Sequence, residues 1–364
     1  MYRENKFKIP DRLYNLNQRN NMCFIIPEYV NKKIVEKGTK EQKEKAWKNL
    51  VLTEQLRGRR SVTGLMSSMF SVSNKLDRTI FDAKNRESLP GILLRREGGK
   101  PRGGAQVKEA YDYSGSTYNF FKDIFKRNSI DTRGMRLDST VHYGKDYNNA
   151  FWNGTQMVYG DGDGEIFERF TKCIEVIGHE LTHGVTQYEA GLEYEGQAGA
   201  LNESFSDVFG SLVKQYDLKQ KVDNADWLIG AGIFNRKING IALRSMKDPG
   251  SAYNDTTIGK DPQPGHMKNY KKIDEDNGGV HIYSGIPNKA FYLVSMELGG
   301  YAWEKAGLIW YTTLKDRLTE TSTFQNAADS TFEVGGSIFG QNSLEQKAVK
   351  KAWDLVGIKI KSKK

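Results

Sequence analysis

His179 and His183 stand four residues apart in His179-Glu180-Leu181-Thr182-His183, inside a stretch where Ile174, Ile177, Leu181 and Val185 recur at helical spacing. Residues i and i+4 leave a helix from one face about 6 Å apart along the axis, so both imidazoles can reach one Zn²⁺ at about 2.0–2.1 Å. Glu180 then points at the open coordination position, where it can serve as general base toward a water the metal has acidified. Two such histidines also occur as packing or surface residues, so a zinc site needs a third ligand.

GALNESFSD, residues 199–207, offers one. Glu203 would complete a His₂Glu set that leaves one position for water, the catalytic pattern rather than the closed structural one. Asp207, one turn later, can accept the second N–H of a ligand histidine and fix its tautomer. By spacing alone both could equally be solvated helix acids.

The elements that position these groups are legible in outline. Residues 29–57 place Val30, Ile34, Ala46, Leu50 and Leu56 among Lys, Glu and Gln, as two amphipathic helices broken near Gly38 would. From about Arg78 to Phe167, short runs such as TIFDA and STVHY between Gly and Asn turns read as β-rich. GGKPRGG at 98–104 reads as an exposed, cleavable loop. From Phe167 onward the periodicity is helical. The expected class is α+β in two catalytic domains.

Composition narrows the options. A chain of 364 residues with 38% hydrophobic and 11% aromatic residues can bury more than one core, which excludes a disordered polymer. Two cysteines 150 residues apart exclude a disulfide framework. Neither an 18-residue apolar run nor a signal-peptide core is visible, so no membrane span is expected. The net charge of +9 is local: residues 1–60 carry 15 Lys/Arg and 7 Asp/Glu, leaving 39 and 38 elsewhere. That distribution argues against nucleic acid as a partner and points to an acidic partner for residues 1–60 within the molecule itself, which would be an acidic cleft rim if that segment covers a cleft.

The stretch HELTHGVTQYEAGLEYEGQAGALNESFSDVFG resembles the catalytic core of the thermolysin family of zinc metallopeptidases. YNNAFWNGTQMVYGDGDG, LRSMKDP and DNGGVHIYSGIPNKAFY extend the likeness from about Arg78 to Gly357. The resemblance implies a β-rich domain at 61–190 ending in the zinc-binding helix, a helical domain at 191–364, and the cleft between them. It assigns His179, His183 and Glu203 to zinc, Glu180 to general base, Asp207 and Asn202 to supporting the ligands, His281, oriented by Asp276, to stabilising the oxyanion or protonating the leaving amine, and Tyr194 to a second hydrogen bond to that oxyanion. Asn149 and the Ala150 carbonyl would bind substrate backbone as an added strand, and Arg244 the carbonyl beside the scissile bond. Phe167, Phe170, Val176, Ile229, Ile233 and Leu243 would form the pocket for a bulky hydrophobic residue after the cut. The remaining histidines, His142 and His266, are expected to be structural.

Two departures follow. The double calcium site of thermolysin is expected to be absent: Glu175 and Asp226 remain, but Lys214, Leu228 and Ala231 occupy the other positions, and the Lys214 ammonium is expected between the two acids. DGDGE at 161–165 reads as a β-turn. The segment Cys23 to Arg57 is similar to the short propeptide of the protealysin-like subgroup, although Ile26-Pro27-Glu28 keeps one proline where that subgroup has two. Residues 1–60 are expected to cover the cleft until a cut between Gly58 and Asp77, with a Cys23 thiolate on zinc as a lesser reading. The expected protein is a monomeric, self-inhibited endopeptidase acting on peptides or proteins. It would be secreted, as the resemblance implies, without an ordinary signal peptide; a cytoplasmic precursor stays open. The alternatives are a peptidase restricted to short peptides beneath a retained lid, and an interaction protein with a disused site.

Overall fold

The computed structural model describes residues 22–58 and 74–361. The expectations for residues 1–21, and much of the stretch from Gly58 to Asp77, lie outside them.

A six-stranded sheet is built on β2 (Arg78–Asp82) and β3 (Ile92–Arg96), an antiparallel pair, with β4 (Leu137–Val141) parallel to β2 and β6 (Met157–Tyr159) parallel to β4. β5 (Ala150–Trp152) pairs antiparallel with β6. β1 (Cys23–Phe24) closes that edge antiparallel to β5, in the register Cys23 to Trp152 and Phe24 to Phe151. The edge strand therefore comes from far upstream in the chain.

The Arg78 to Phe167 stretch is less β-rich than its texture indicates, since α3 (Ala105–Phe125) occupies 21 of its residues. Tyr, Ser, Thr and Gly within it are modest helix formers, which hides the pattern. Yet Val107, Ala110, Tyr111, Ser114, Tyr118 and Phe121 fall at three- and four-residue steps and are all buried.

The upstream segment forms α1 (Glu28–Lys37) and α2 (Lys40–Gly58), parted at Gly38. Pro27, extended at φ −62° and ψ 148°, stands at the N-cap of α1, where its missing N–H costs nothing. Thr39 and Gln42 cap α2 reciprocally: each side chain accepts the other's backbone N–H, at 3.3 and 2.9 Å. The face that α2 buries is Ala46, Asn49, Thr53 and Leu56, with Leu50 only half-buried. Asn49 earns its place by accepting the Asn148 N–H at 3.1 Å.

After the sheet come α4 (Ile174–Tyr188), α5 (Gly196–Asp217), α6 (Asp276–Tyr283), α7 (Gly285–Leu298), α8 (Ala306–Asp316), α9 (Phe324–Phe339) and α10 (Leu344–Leu355). One contiguous apolar core links the sheet, these helices and Ile25, Ile26, Val30 and Ile34. Among the described residues no helix is long and apolar enough to cross a membrane.

Candidate active site

Helices α4 and α5 carry the expected ligands and approach closely where Gly178 faces Gly210. A Cβ on Gly210 would lie 2.4 Å from the Glu175 carbonyl oxygen, so only glycine permits the contact. His179 Nε2 and His183 Nε2 are 3.0 Å apart, and each is 3.4 Å from a different oxygen of Glu203. Ligands at about 2.0–2.1 Å around one tetrahedral zinc stand roughly 3.3–3.4 Å from each other, so this donor set fits the metal. Two further observations agree. Glu203 Oε2 is buried without a hydrogen bond, and both imidazoles turn Nδ1 away, His179 to Asp207 Oδ1 and His183 to Asn202 Oδ1, each at 2.8 Å. With Nδ1–H donating, the Nε2 lone pairs converge on one point.

The electrostatics are those of a fully buried cluster. Burial opposes ionisation of Asp207, yet Arg244 and His179 hold its carboxyl at about 2. Burial likewise opposes charge on His179, but Asp207 and Glu203 outweigh it and raise that imidazole to about 9. Burial pushes His183 down to about 3. For Glu203, His281 and both neighbouring imidazoles overcome burial and hold the carboxyl well below its ordinary range.

Glu180 lies one residue past His179 with Oε2 accepting the Trp152 N–H at 3.0 Å and Oε1 buried and unpaired. Burial raises it to about 8, helped by the Glu203 charge and opposed by His179. His281 enters from α6, whose first residues Asp276 to Gly279 all have positive φ, Gly278 at 77° and Gly279 at 83°. That turn lets Asp276 accept both the His281 backbone N–H at 2.8 Å and its Nδ1–H at 2.6 Å. Burial alone would lower His281, but Glu203 and Asp276 together raise it. Tyr194 Oη lies 3.1 Å from His281 Nε2 and donates to Glu203 Oε1.

The chain's own residues 23–26 lie across these groups. Ile25 N–H donates to the Ala150 carbonyl at 3.1 Å, and Ile26 N–H to Asn149 Oδ1 at 2.9 Å, while Asn149 Nδ2 returns a bond to the Ile26 carbonyl at 3.3 Å. Arg244 Nη1 donates to the Ile25 carbonyl at 3.3 Å, and His281 Nε2 to the Phe24 carbonyl at 3.0 Å. Asn149, Ala150 and Arg244, expected on substrate backbone, thus hold this strand. The six expected pocket residues Phe167, Phe170, Val176, Ile229, Ile233 and Leu243 are all buried in the same core as Ile25 and Ile26. The strand is seated mainly by apolar packing and backbone bonds. Of the charged contacts expected at the rim, Lys45 to Glu165 at 2.9 Å is present, whereas Lys32 and Lys33 pair with Glu28 and Glu36 inside α1.

Lys214 Nζ stands 2.7 Å from Asp226 and 3.4 Å from Glu175, and Glu175 also accepts the Ala231 N–H at 3.0 Å. Asp163 folds the 161–165 loop by accepting the backbone N–H of Glu165, Ile166 and Phe167. His142 bonds Asp161 at 2.6 Å, and His266 accepts the Lys268 N–H, so both stand outside the cluster.

Three contributors escaped the sequence reading. Trp152 acts through its backbone, which no side-chain pattern reveals. Ser206 Oγ lies 3.1 Å from His183 Nδ1, and Asn288 Nδ2 donates to Asp207 Oδ2 at 2.8 Å. Asn288 was findable as a buried amide on an otherwise apolar helix face.

An HExxH helix and a neighbouring helix that together offer a two-histidine, one-carboxylate donor set beside a β-sheet edge point to the class, a metallopeptidase of the HExxH type. Comparison makes the assignment specific: residues 60–187 match the thermolysin metallopeptidase catalytic domain and residues 190–358 its alpha-helical domain. The chain belongs to the thermolysin family and is a zinc metalloendopeptidase. It is 48% identical over 341 residues to an extracellular metalloprotease of Pectobacterium carotovorum subsp. carotovorum, covering 93% of this chain and 97% of that one. It is 49% identical over 352 residues to protease PrtS of Photorhabdus sp. (strain Az29), covering 94% of each. Among solved structures it is similar to the protealysin precursor of Serratia proteamaculans, with TM-score 0.85 and 52% identity over 92% of this chain and 99% of that one.

Proposed function

We propose that the chain is a self-inhibited precursor in which residues 1–60 are an inhibitory propeptide, 61–190 the domain ending in the zinc helix, and 191–364 the helical domain. The observation that carries this reading is the seating of Ile25 and Ile26 on Ala150, Asn149 and Arg244. These groups address main chain rather than side chains, so a substrate strand and the propeptide strand compete for them.

Zn²⁺ held by His179, His183 and Glu203 would supply a Lewis acid that polarises the scissile carbonyl and acidifies the attacking water. Glu180, its free oxygen unpaired, takes the water proton as the new C–O bond forms and returns it to the leaving nitrogen as the C–N bond breaks. His281 Nε2–H donates to the developing oxyanion from a ring fixed by Asp276, and Tyr194 flanks the same position. Cleavage falls before a bulky hydrophobic residue, a preference supported by the apolar character of Phe167, Phe170, Val176, Ile229, Ile233 and Leu243. The Lys214 ammonium does between Glu175 and Asp226 what calcium does in thermolysin. The mature enzyme is a secreted monomer with no nucleic-acid partner.

The test incubates the purified full chain with zinc and determines the mature N-terminus by mass spectrometry, with Glu180→Ala as control. Self-cleavage near residue 60 in the unaltered chain alone is the expected result; a persistent full-length chain that hydrolyses short blocked peptides but never casein would replace this reading with the retained lid.

A further inference from the structure

The strand across the cleft poses a chemical question. Phe24 offers its carbonyl to His281, Ile25 its carbonyl to Arg244, and Ile26 is held at both ends by Asn149. The Phe24–Ile25 peptide bond is therefore presented to the same groups that would act on a substrate bond, and something must keep it from being cut.

Cys23 supplies the answer. It is 4% exposed and in no disulfide, and its register opposite Trp152 fixes it one residue before Phe24. Its Sγ and ligand atoms of His183 and Glu203 all lie within 4.8 Å of one another, a gathering of three buried ligand-type side chains from β1, α4 and α5. Glu203 Oε2 adds a buried oxygen without a hydrogen bond at the same place. A thiolate binds zinc at about 2.3 Å and is a stronger ligand than water. We infer that in the precursor Cys23 is the fourth ligand of the zinc site, closing His179, His183 and Glu203 into a four-coordinate set and taking the position where the attacking water would be activated.

The inference rests on the zinc reading of the site. Binding costs the thiol its proton, which goes to solvent, and on activation a water replaces the sulfur with no oxidant consumed. The threaded Phe24–Ile25 bond survives because the residue that precedes it removes the nucleophile. Latency and substrate-like seating are then one arrangement rather than two in conflict.

The experiment loads full-length Glu180→Ala protein, which cannot process itself, with Co²⁺ and records its spectrum beside that of Glu180→Ala/Cys23→Ser. Cys173, buried and donating to the Ala231 carbonyl, is present in both and cancels. The expected result is a near-ultraviolet sulfur-to-cobalt charge-transfer band only in the protein with Cys23, with visible d–d bands of a four-coordinate site in both. Visible bands without a near-ultraviolet band would overturn the cysteine ligand while leaving the metal site standing. No retained cobalt in either protein would overturn the zinc reading and this inference with it. As an independent measure on the unaltered Cys23, labelling by a thiol reagent is expected to accelerate at least tenfold when a chelator strips the metal; equal rates with and without metal would overturn the proposal even if the serine variant misfolds.

Discussion

Arg244 and Asp207 form a fully buried two-pronged ion pair, Nε to Oδ2 and Nη2 to Oδ1, both at 2.8 Å. The same Asp207 accepts the His179 Nδ1–H and the Asn288 amide, and the same Arg244 reaches the Ile25 carbonyl. The orientation of His179 and the hold on the Ile25 carbonyl thus share one pair of charges. Asp207→Asn is expected to weaken zinc binding by about 10–100-fold, read by competition with a chelator. It should also lower unfolding stability by about 3 kcal/mol or more, because Arg244 is left buried and unpaired.

Glu180→Gln keeps an acceptor for the Trp152 N–H but removes the carboxylate proposed as the base. Turnover should fall at least about 100-fold with zinc content and urea unfolding unchanged. Loss of zinc in this variant would mean that Glu180 holds the metal rather than the proton.

Asn149→Ala deletes both bonds to Ile26. Two hydrogen bonds at about 0.5–1.5 kcal/mol each correspond to roughly 5–150-fold in affinity, and the loss should appear equally in KM for peptide substrates and in inhibition by the isolated propeptide added to mature enzyme. A change in one without the other would show that substrate and propeptide do not share the strand position.

Lys214→Met removes the cation from beside Glu175, which is 2% exposed. Stability is expected to fall by about 2–3 kcal/mol, while millimolar calcium leaves the melting temperature of the unaltered protein where it was. Calcium-dependent melting of the unaltered protein would restore the metal that Lys214 is proposed to replace.

The His142–Asp161 pair gives a pH signature. The hydrogen bond to Asp161 raises His142 above its ordinary value, with burial opposing. A folded value above the unfolded one means that the pair's stability is fully present below about pH 6.5 and is lost as pH rises through the folded value. His142→Gln should therefore destabilise by on the order of 0.5–1 kcal/mol at pH 5.5 and by less at pH 9. Equal destabilisation at both values in urea unfolding would show that packing, not charge, is what His142 contributes.

What could be read from sequence follows from range. His179, Glu180 and His183 sit within one helical period, and Glu203 with Asp207 within another, so each set carries its own geometry. Asp276 and His281 are five apart and were also within reach. The proximity of Cys23 to His183 depends on a two-residue strand finding an edge 127 residues downstream, and no local periodicity encodes that. α3 is hidden in the sequence for a different reason: Tyr, Ser, Thr and Gly lower its intrinsic helix preference, and tertiary burial of one face decides the outcome. Asn49 on the buried face of α2 shows the same limit, since a polar residue that satisfies a neighbour's backbone is indistinguishable in sequence from a solvated one.

Ile25, Ile26, Val30 and Ile34 are members of the main core rather than of a separate small one. On the proposed precursor reading, cutting the chain downstream of α2 would change covalent connectivity without dissolving that packing, and the nicked protein is expected to remain a tight two-chain complex. Onset of full activity should then trail the cut by a lag set by dissociation or digestion of the freed fragment, so that the fragment's lifetime, not the first cleavage, would be the clock of maturation.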